Sequence, residues 1–128
     1  MFEKIEIMKM ASAMATHAAA RQNAVAENIA NADTPGYAAR DLPAFEDLYR
    51  SEGGGALRAT RSGHIDASAT ITTAPEVIAS PGVTSPDGNS VSLEEEMVRS
   101  VEVKREHDLS LAIYRSSLNI LRSSLGRG

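Results

Sequence analysis

Residues 27–42 read ENIANADTPGYAARDL, and this stretch predicts how the first long helix of the chain ends. Pro35 disfavours a helical conformation at Thr34, so the helix is expected to end near Asp33. A type II turn prefers proline in its second position and glycine in its third, as Pro35 and Gly36 provide. The stretch therefore predicts a helix followed at once by a sharp turn.

Polar side chains crowd the end of this predicted helix. Asn28, Asn31 and Asp33 are poor helix formers but good hydrogen-bond partners for exposed backbone groups. Tyr37 and the charged pair at 40–41 follow the turn directly. A surface turn alone does not require such a cluster. We therefore interpret the stretch as one that fixes the angle at which the chain leaves the helix, with polar contacts to an adjacent chain.

The first long helix is predicted over residues 1–33. Ten alanines lie between positions 11 and 32 and would allow close approach of another helix. Apolar or small residues recur in steps of four, three and four, an eleven-residue period that keeps a helical seam nearly straight. A lone amphipathic surface helix is the alternative. The predicted seam is Ile7, Ala11, Met14, Ala18, Gln22, Val25, Ile29 and Ala32.

A second long helix is predicted over residues 90–128. Ser92 followed by Glu95 matches a capping box, Glu94 to Glu96 suit the positive end of the helix dipole, and Gly126 should stop the helix. A seam of heptads, apolar at its ends and polar in its centre, indicates a coiled-coil partner. It is formed by Leu93, Met97, Ser100, Lys104, His107, Leu111, Tyr114, Leu118, Leu121 and Leu125. The polar centre allows a second reading, a seam that rotates there onto Val98, Val101, Arg105, Leu109 and Ala112.

Between the helices the composition changes. Residues 34–50 are interpreted as a turn and an extended exit segment. Residues 51–89 hold six of the nine glycines and three of the five prolines, and only a short stretch at 64–71 alternates weakly. We expect either a small β insertion or partial disorder there. The predicted fold class is therefore mainly α, with long N- and C-terminal helices in coiled-coil-like layers around a Gly/Pro-rich middle. The two helices could pair within one subunit or stack against copies.

The composition restricts the classes of function. Much of the hydrophobic content is alanine, so neighbouring subunits are expected to supply much of the stability. The net charge of −4 has no basic stripe, so nucleic-acid binding is not expected. No window approaches the 18 or so apolar residues that a membrane span needs. Glu3, Glu6 and Lys9 interrupt the apolar region that a cleaved signal peptide would have. Without cysteine there is no disulfide and no thiolate metal site.

Candidate catalytic groups do not cluster in the sequence. His17, His64 and His107 lie in three different segments without metal-ligand spacing, and Gly53 to Gly55 lack the lysine of a phosphate loop. Glu94, Glu95 and Glu96 point in different directions on a helix and are read as a charged first turn. The serine pairs at 116–117 and 123–124 are expected on the solvent face. We expect no cofactor, no metal, no small-molecule substrate and no enzymatic activity.

Two motifs carry a family resemblance. The stretch NIANADTPGY at 28–37 resembles the N-terminal signature of the bacterial flagellar axial proteins, which include rod, hook and hook-associated subunits. The stretch DGNSVSLEEEM at 87–97 is similar to the entry into the C-terminal helix of the proximal rod subunits of that family. The short middle segment also fits a rod subunit better than a hook or cap protein.

The resemblance implies a structural subunit that self-associates in a hollow rod across the periplasm. Such a rod transmits torque and conducts exported subunits. The implied partners are other rod subunits of the FlgC, FlgF and FlgG types, FliE and the flagellar export gate, and the implied route is type III export without a cleaved signal peptide. The implied assembly residues are Asn28, Ile29, Asn31, Asp33, Thr34, Pro35, Gly36, Tyr37, Asp87, Gly88, Asn89, Leu93, Glu94, Glu96 and Met97. The alternatives are another rod paralogue or a soluble helical adaptor with a chaperone-like binding role.

Overall fold

The computed structural model describes residues 2–51, 76–78 and 84–126. Two long helices at the ends of the chain dominate the fold and pack against each other, which confirms the mainly α prediction. The weakly alternating stretch at 64–71 lies outside the described residues. The elements are α1 (Phe2–Ala30), β1 (Arg40–Asp41), α2 (Phe45–Ser51), β2 (Glu76–Val77) and α3 (Leu93–Leu125).

The two long helices form an antiparallel pair within one subunit. Near the end of α1, Asn28 Nδ2 lies 3.1 Å from Glu96 Oε1 at the start of α3. One heptad earlier in α1, Arg21 Nη1 lies 3.3 Å from Glu106 Oε1, further along α3. Residue numbers therefore fall along α1 as they rise along α3. Of the two arrangements that the sequence left open, this structure contains the pairing within one subunit.

The buried face of α1 has a seven-residue period, so the predicted eleven-residue period is wrong. Ala11, Ala18 and Val25 are each at most 1% exposed. Ile7 and Ile29, which the longer period placed in the seam, are 41% and 43% exposed. A seven-residue period corresponds to 3.5 residues per turn, which holds the seam of a helix against one partner in a left-handed supercoil.

The buried face of α3 also follows heptads, but along a different line from either predicted seam. Glu96, Val103, Ser110 and Ser117 face α1 and are buried, so the solvent position predicted for Ser117 is wrong. Ser110 and Ser117 are small, whereas many of the bulky apolar side chains of α3 point outward. The exposed large apolar residues of α3 are Leu93, Met97, Val98, Val101, Leu109, Tyr114, Leu118, Ile120 and Leu125.

The helix ends follow the local signals closely. Ser92 is the N-cap of α3, and its side chain accepts a hydrogen bond from the Glu95 amide, as predicted. At the other end, Gly126 N donates to Arg122 O at 2.8 Å and terminates the helix as expected. The first helix ends at Ala30, three residues before Asp33, and the turn begins at once.

The segment after the turn folds back along α1. Residues 39–45, here called the strap, contain β1, which pairs antiparallel with β2 in the register Arg40↔Val77. The strap leads into α2, where the sequence predicted extended chain. His17 Nε2 on α1 lies 2.8 Å from Pro43 O, and the centroids of the His17 and Phe45 rings are 5.7 Å apart, so this buried histidine holds the strap in place.

Within the described ranges, no helix is long and apolar enough to cross a membrane.

Candidate functional site

The two sequence motifs pack against each other and form one structure. We call it the corner and define it as residues 28–41 and 85–96. Gly36 N donates to Asp87 O and Ser90 N donates to Tyr37 O, both at 3.0 Å. The Ser90 hydroxyl accepts a hydrogen bond from Ala39 N at 2.8 Å. The corner therefore joins the exit of α1 to the entry of α3.

The turn inside the corner is the predicted type II turn. Gly36 has φ +74° and Tyr37 N donates to Thr34 O at 3.2 Å. Pro35 fixes a negative φ in the second position, so the positive φ at the third position distinguishes type II from the other turns. Gly88, at φ +86°, lies against it, since a Cβ built there would be 3.5 Å from Gly36 Cα. The two glycines allow the two motifs to approach closely.

Replacement of Gly36 by valine should lower the free energy of unfolding by about 2 kcal/mol, because a β-branched residue is strained at positive φ. A Cβ at this position meets no atom within 4 Å, so the cost is conformational and not steric. Gly36→Asn is the control, since asparagine tolerates this conformation better. Urea unfolding of both variants, followed by circular dichroism, measures the difference. Equal stability of the two variants would contradict the role assigned to the turn.

Asn28 is the buried centre of the corner. Its side chain is fully buried and makes four hydrogen bonds, which is the full capacity of an amide. The oxygen accepts from Arg40 N at 3.0 Å and from the Tyr37 hydroxyl at 3.1 Å. The nitrogen donates to Arg40 O at 2.7 Å and to Glu96 Oε1 at 3.1 Å. One side chain thus fixes the strap and α3 to the last full turn of α1.

Asn89 performs the matching role from the second motif. It is 2% exposed, and its amide nitrogen donates to Asn31 O and Thr34 O, each at 2.8 Å. Its side-chain oxygen accepts from Val91 N at 2.8 Å, which sets the backbone just before the N-cap of α3. The carbonyls of Asn31 and Thr34 lie just beyond the end of α1, where they need hydrogen-bond donors. Asn89, which is 58 and 55 positions later in the sequence, donates to both.

Charged side chains continue this polar contact along the helix pair. Asp41 in the strap accepts hydrogen bonds from Arg21 at 3.0 to 3.3 Å, and Arg99 Nε lies 3.9 Å from Asp41 Oδ2. Arg99 also binds Glu96 Oε1, the oxygen that Asn28 contacts. Arg21, Asp41 and Arg99 are each less than one-fifth exposed. The strap carboxylate therefore lies between an arginine of α1 and an arginine of α3.

Burial alone would lower the pKa of Arg21, but the hydrogen bond and charge of Asp41 outweigh it. The charges of Glu106 and Glu102 add to this effect, and the pKa is raised. A cation with a raised folded-state pKa contributes stability below its unfolded pKa and loses it only as pH rises above that value. For an arginine this happens only in strongly alkaline solution. The contribution of Arg21 is therefore constant across the physiological range.

The structure divides the predicted site residues into two groups. One group meets in the corner through hydrogen bonds or close backbone contact: Asn28, Asn31, Thr34, Gly36, Tyr37, Asp87, Gly88, Asn89 and Glu96. Glu96 lies in the acidic first turn of α3, as predicted, but its side chain is fully buried and contacts Asn28 of α1. The other group points to solvent: Ile29, Asp33, Pro35, Leu93, Glu94 and Met97.

The sequence interpretation missed Arg21 and Arg99, and it noted Asp41 only as part of the charged pair that follows the turn. A signal for two of them is present, because Arg21 and Asn28 follow Met14 at steps of seven and so share its heptad position. In the heptads of α3, Arg99 and Glu106 share the corresponding position. Polar residues at contact positions of two heptad patterns indicate a buried polar layer. The prediction of an eleven-residue period concealed that signal.

In the parts of the chain that the structure describes, no cluster of three or more metal-ligating side chains occurs.

The part of the chain that contains the first helix and the turn of this corner matches a known protein family. Residues 10–37 match the sequence model of the family described as flagella basal body rod protein. This stretch contains most of α1 and the type II turn. Over this stretch the chain resembles the basal body rod class of flagellar proteins.

Relatives extend the similarity over most of the chain. FlgB of Salmonella typhimurium, a flagellar basal body rod protein, is 35% identical over 118 residues, which span 86% of both chains. FlgB of Agrobacterium fabrum is 34% identical over 119 residues, covering 89% of this chain and 88% of that protein. FlgB of Escherichia coli is 35% identical over 117 residues, with 82% and 85% covered. The chain belongs to the FlgB family of flagellar basal body rod proteins.

Proposed function

We propose that this protein is a structural subunit of the proximal rod, which associates with copies of itself and with other rod proteins into a hollow shaft. The shaft spans the periplasm, transmits torque and conducts exported subunits. Its partners are rod subunits of the FlgC, FlgF and FlgG types, FliE and the export gate. The subunit reaches the rod through the flagellar type III apparatus without cleavage of a signal peptide, and it catalyses no reaction.

One observation carries the proposal. The corner holds two long helices as a fixed pair, yet the pair leaves large apolar side chains on its outer surface. Met97, Val98 and Val101 are each at least 60% exposed on neighbouring turns of α3, and Leu125 is 72% exposed. Contiguous exposed apolar surface marks a site of protein contact. A subunit whose helices pack on several neighbours would need such surfaces.

The signature residues that point outward fit this proposal. Ile29, Leu93 and Met97 are 43%, 53% and 67% exposed, so the intrachain contact does not account for their apolar side chains. We assign them to contacts with neighbouring subunits. The buried signature residues instead set the angle at which these contacts are presented.

A deletion strain tests the proposal. Without the gene, rod assembly should stop at its first stage while the membrane ring remains, and the wild-type gene should restore motility. A gene carrying Met97→Asp and Val101→Asp should produce a folded chain that fails to restore the rod, because charges prevent burial of the patch. Ser116→Asp, on the exposed face of the same helix, is the matched control and should restore motility. Electron microscopy of isolated basal bodies distinguishes the outcomes, and complete rods in the deletion strain would exclude the proposal.

A further inference from the structure

A groove of about 400 Å³ lies between α1 and α3 on one flank of the helix pair. Ala18, Ala19 and Val103 form a floor of small and medium apolar side chains. Lys104 and His107 stand on its α3 wall, and none of the described residues that line it is acidic. A ligand for this groove should therefore present an apolar side chain next to carboxylates.

The N-terminal end of α1 has this chemistry. Glu3 is three residues from Glu6 and four from Ile7, so it lies on the same side of the helix as each of them. Both glutamates are exposed, and Ile7 is 41% exposed. Among the described residues, no ion pair involves Glu3, Glu6 or the exposed Lys104.

We propose that the groove of one copy receives the N-terminal end of α1 from a second copy. Ile7 packs on the alanine floor, and Glu3 and Glu6 face Lys104 and His107. Opposite charges select this partner and its register, and the apolar contact supplies the adhesion. The inference rests on the proposed self-association, for which it names the contacting surfaces.

The positions of the two surfaces decide what kind of assembly results. The groove lies at residues 18–23 of α1, so its centre is about 20 Å along the helix from Ile7 at 1.5 Å per residue. Two different surfaces meet, which makes the contact heterologous, and such contacts form rings or open helical assemblies. With copies in one orientation, each contact advances the next copy by about 20 Å, which produces an open assembly.

Cross-linking between copies tests the contact, since the natural chain contains no cysteine. A chain with Ile7→Cys and a differently tagged chain with Ser100→Cys, a groove residue, are coexpressed in the deletion strain and oxidised in the cell. A mixed disulfide should form between the two tags. Arg105→Cys lies next to Lys104 but outside the groove, and its yield with Ile7→Cys should be at most about one-tenth, because a disulfide needs Cα atoms closer than about 7 Å. Equal yields at the two positions would overturn the proposal, as would a cross-link of Ile7→Cys only to a different protein.

A charge exchange tests the chemistry of the same contact. Lys104→Glu should reduce the cross-link between the Ile7→Cys and Ser100→Cys chains about tenfold, because it places like charges together, and Glu3→Lys with Glu6→Lys should restore it. Arg105→Glu is the control and should leave the yield unchanged. If adding Glu3→Lys and Glu6→Lys gives no higher cross-link yield than Lys104→Glu alone, the contact is not the one proposed. If motility requires the gene but the cross-link does not form, only this contact is refuted. Complete rods in the deletion strain would refute the proposed function.

Discussion

Replacement of Asn28 by aspartate should lower the free energy of unfolding by about 3–5 kcal/mol, the range for a buried charged group that loses its partner. The two side chains have the same shape, but aspartate cannot donate to Arg40 O and Glu96 Oε1, which Asn28 contacts at 2.7 and 3.1 Å. It also places a second carboxylate beside Glu96, which is fully buried. Small domains have only about 5–15 kcal/mol of stability, so the variant should be unfolded at low urea concentrations.

The control for this prediction is Asn23→Asp, which changes an exposed asparagine of the same helix. It should alter the unfolding free energy by less than about 0.5 kcal/mol. Glu96→Gln in the Asn28→Asp background supplies an amide donor opposite the new carboxylate, and we expect it to recover about 1–2 kcal/mol. If Asn28→Asp were as stable as Asn23→Asp in urea, Asn28 would not be the centre of the corner.

Replacement of Asp41 by asparagine should cost about 2–4 kcal/mol, because two partly buried arginines then lose the carboxylate between them. Arg21 and Arg99 are 14% and 17% exposed, so water compensates only a small part of the lost interaction. Glu106 and Glu96 remain as partners of the two arginines, which keeps the cost below that expected at Asn28. Urea unfolding measures the loss. Because the site is largely shielded from solvent, we expect little change of this cost with salt.

Hydrogen exchange gives a second measurement of the same substitution. Asp41 ties the strap to both helices through its ion pairs with Arg21 and Arg99, so the strap amides should exchange faster in Asp41→Asn. Asp33→Asn, at an exposed position of the corner, is the control and should change neither exchange nor stability beyond about 0.5 kcal/mol. Equal exchange in the two variants would show that Asp41 does not hold the strap.

Features governed by neighbouring residues could be predicted from the sequence. The type II turn depends on Pro35 and Gly36 alone, and the start of α3 depends on Ser92 and its nearest neighbours. Proline restricts its own φ and the conformation of the residue before it, and an N-cap acts within one helical turn. These rules hold whatever the rest of the chain does, so both predictions are confirmed.

The sequence by itself thus determined the two long helices, the N-cap of α3 and the turn between the first helix and the strap. The tertiary structure decided which face of each helix is buried and which polar groups meet. Asn28 and Glu96 are 68 positions apart, and their pairing depends on the register of two helices that both offer several apolar lines. Local conformational preference sets a helix, but burial and hydrogen bonding across the pair select its face, because a buried polar group is stable only where a partner reaches it.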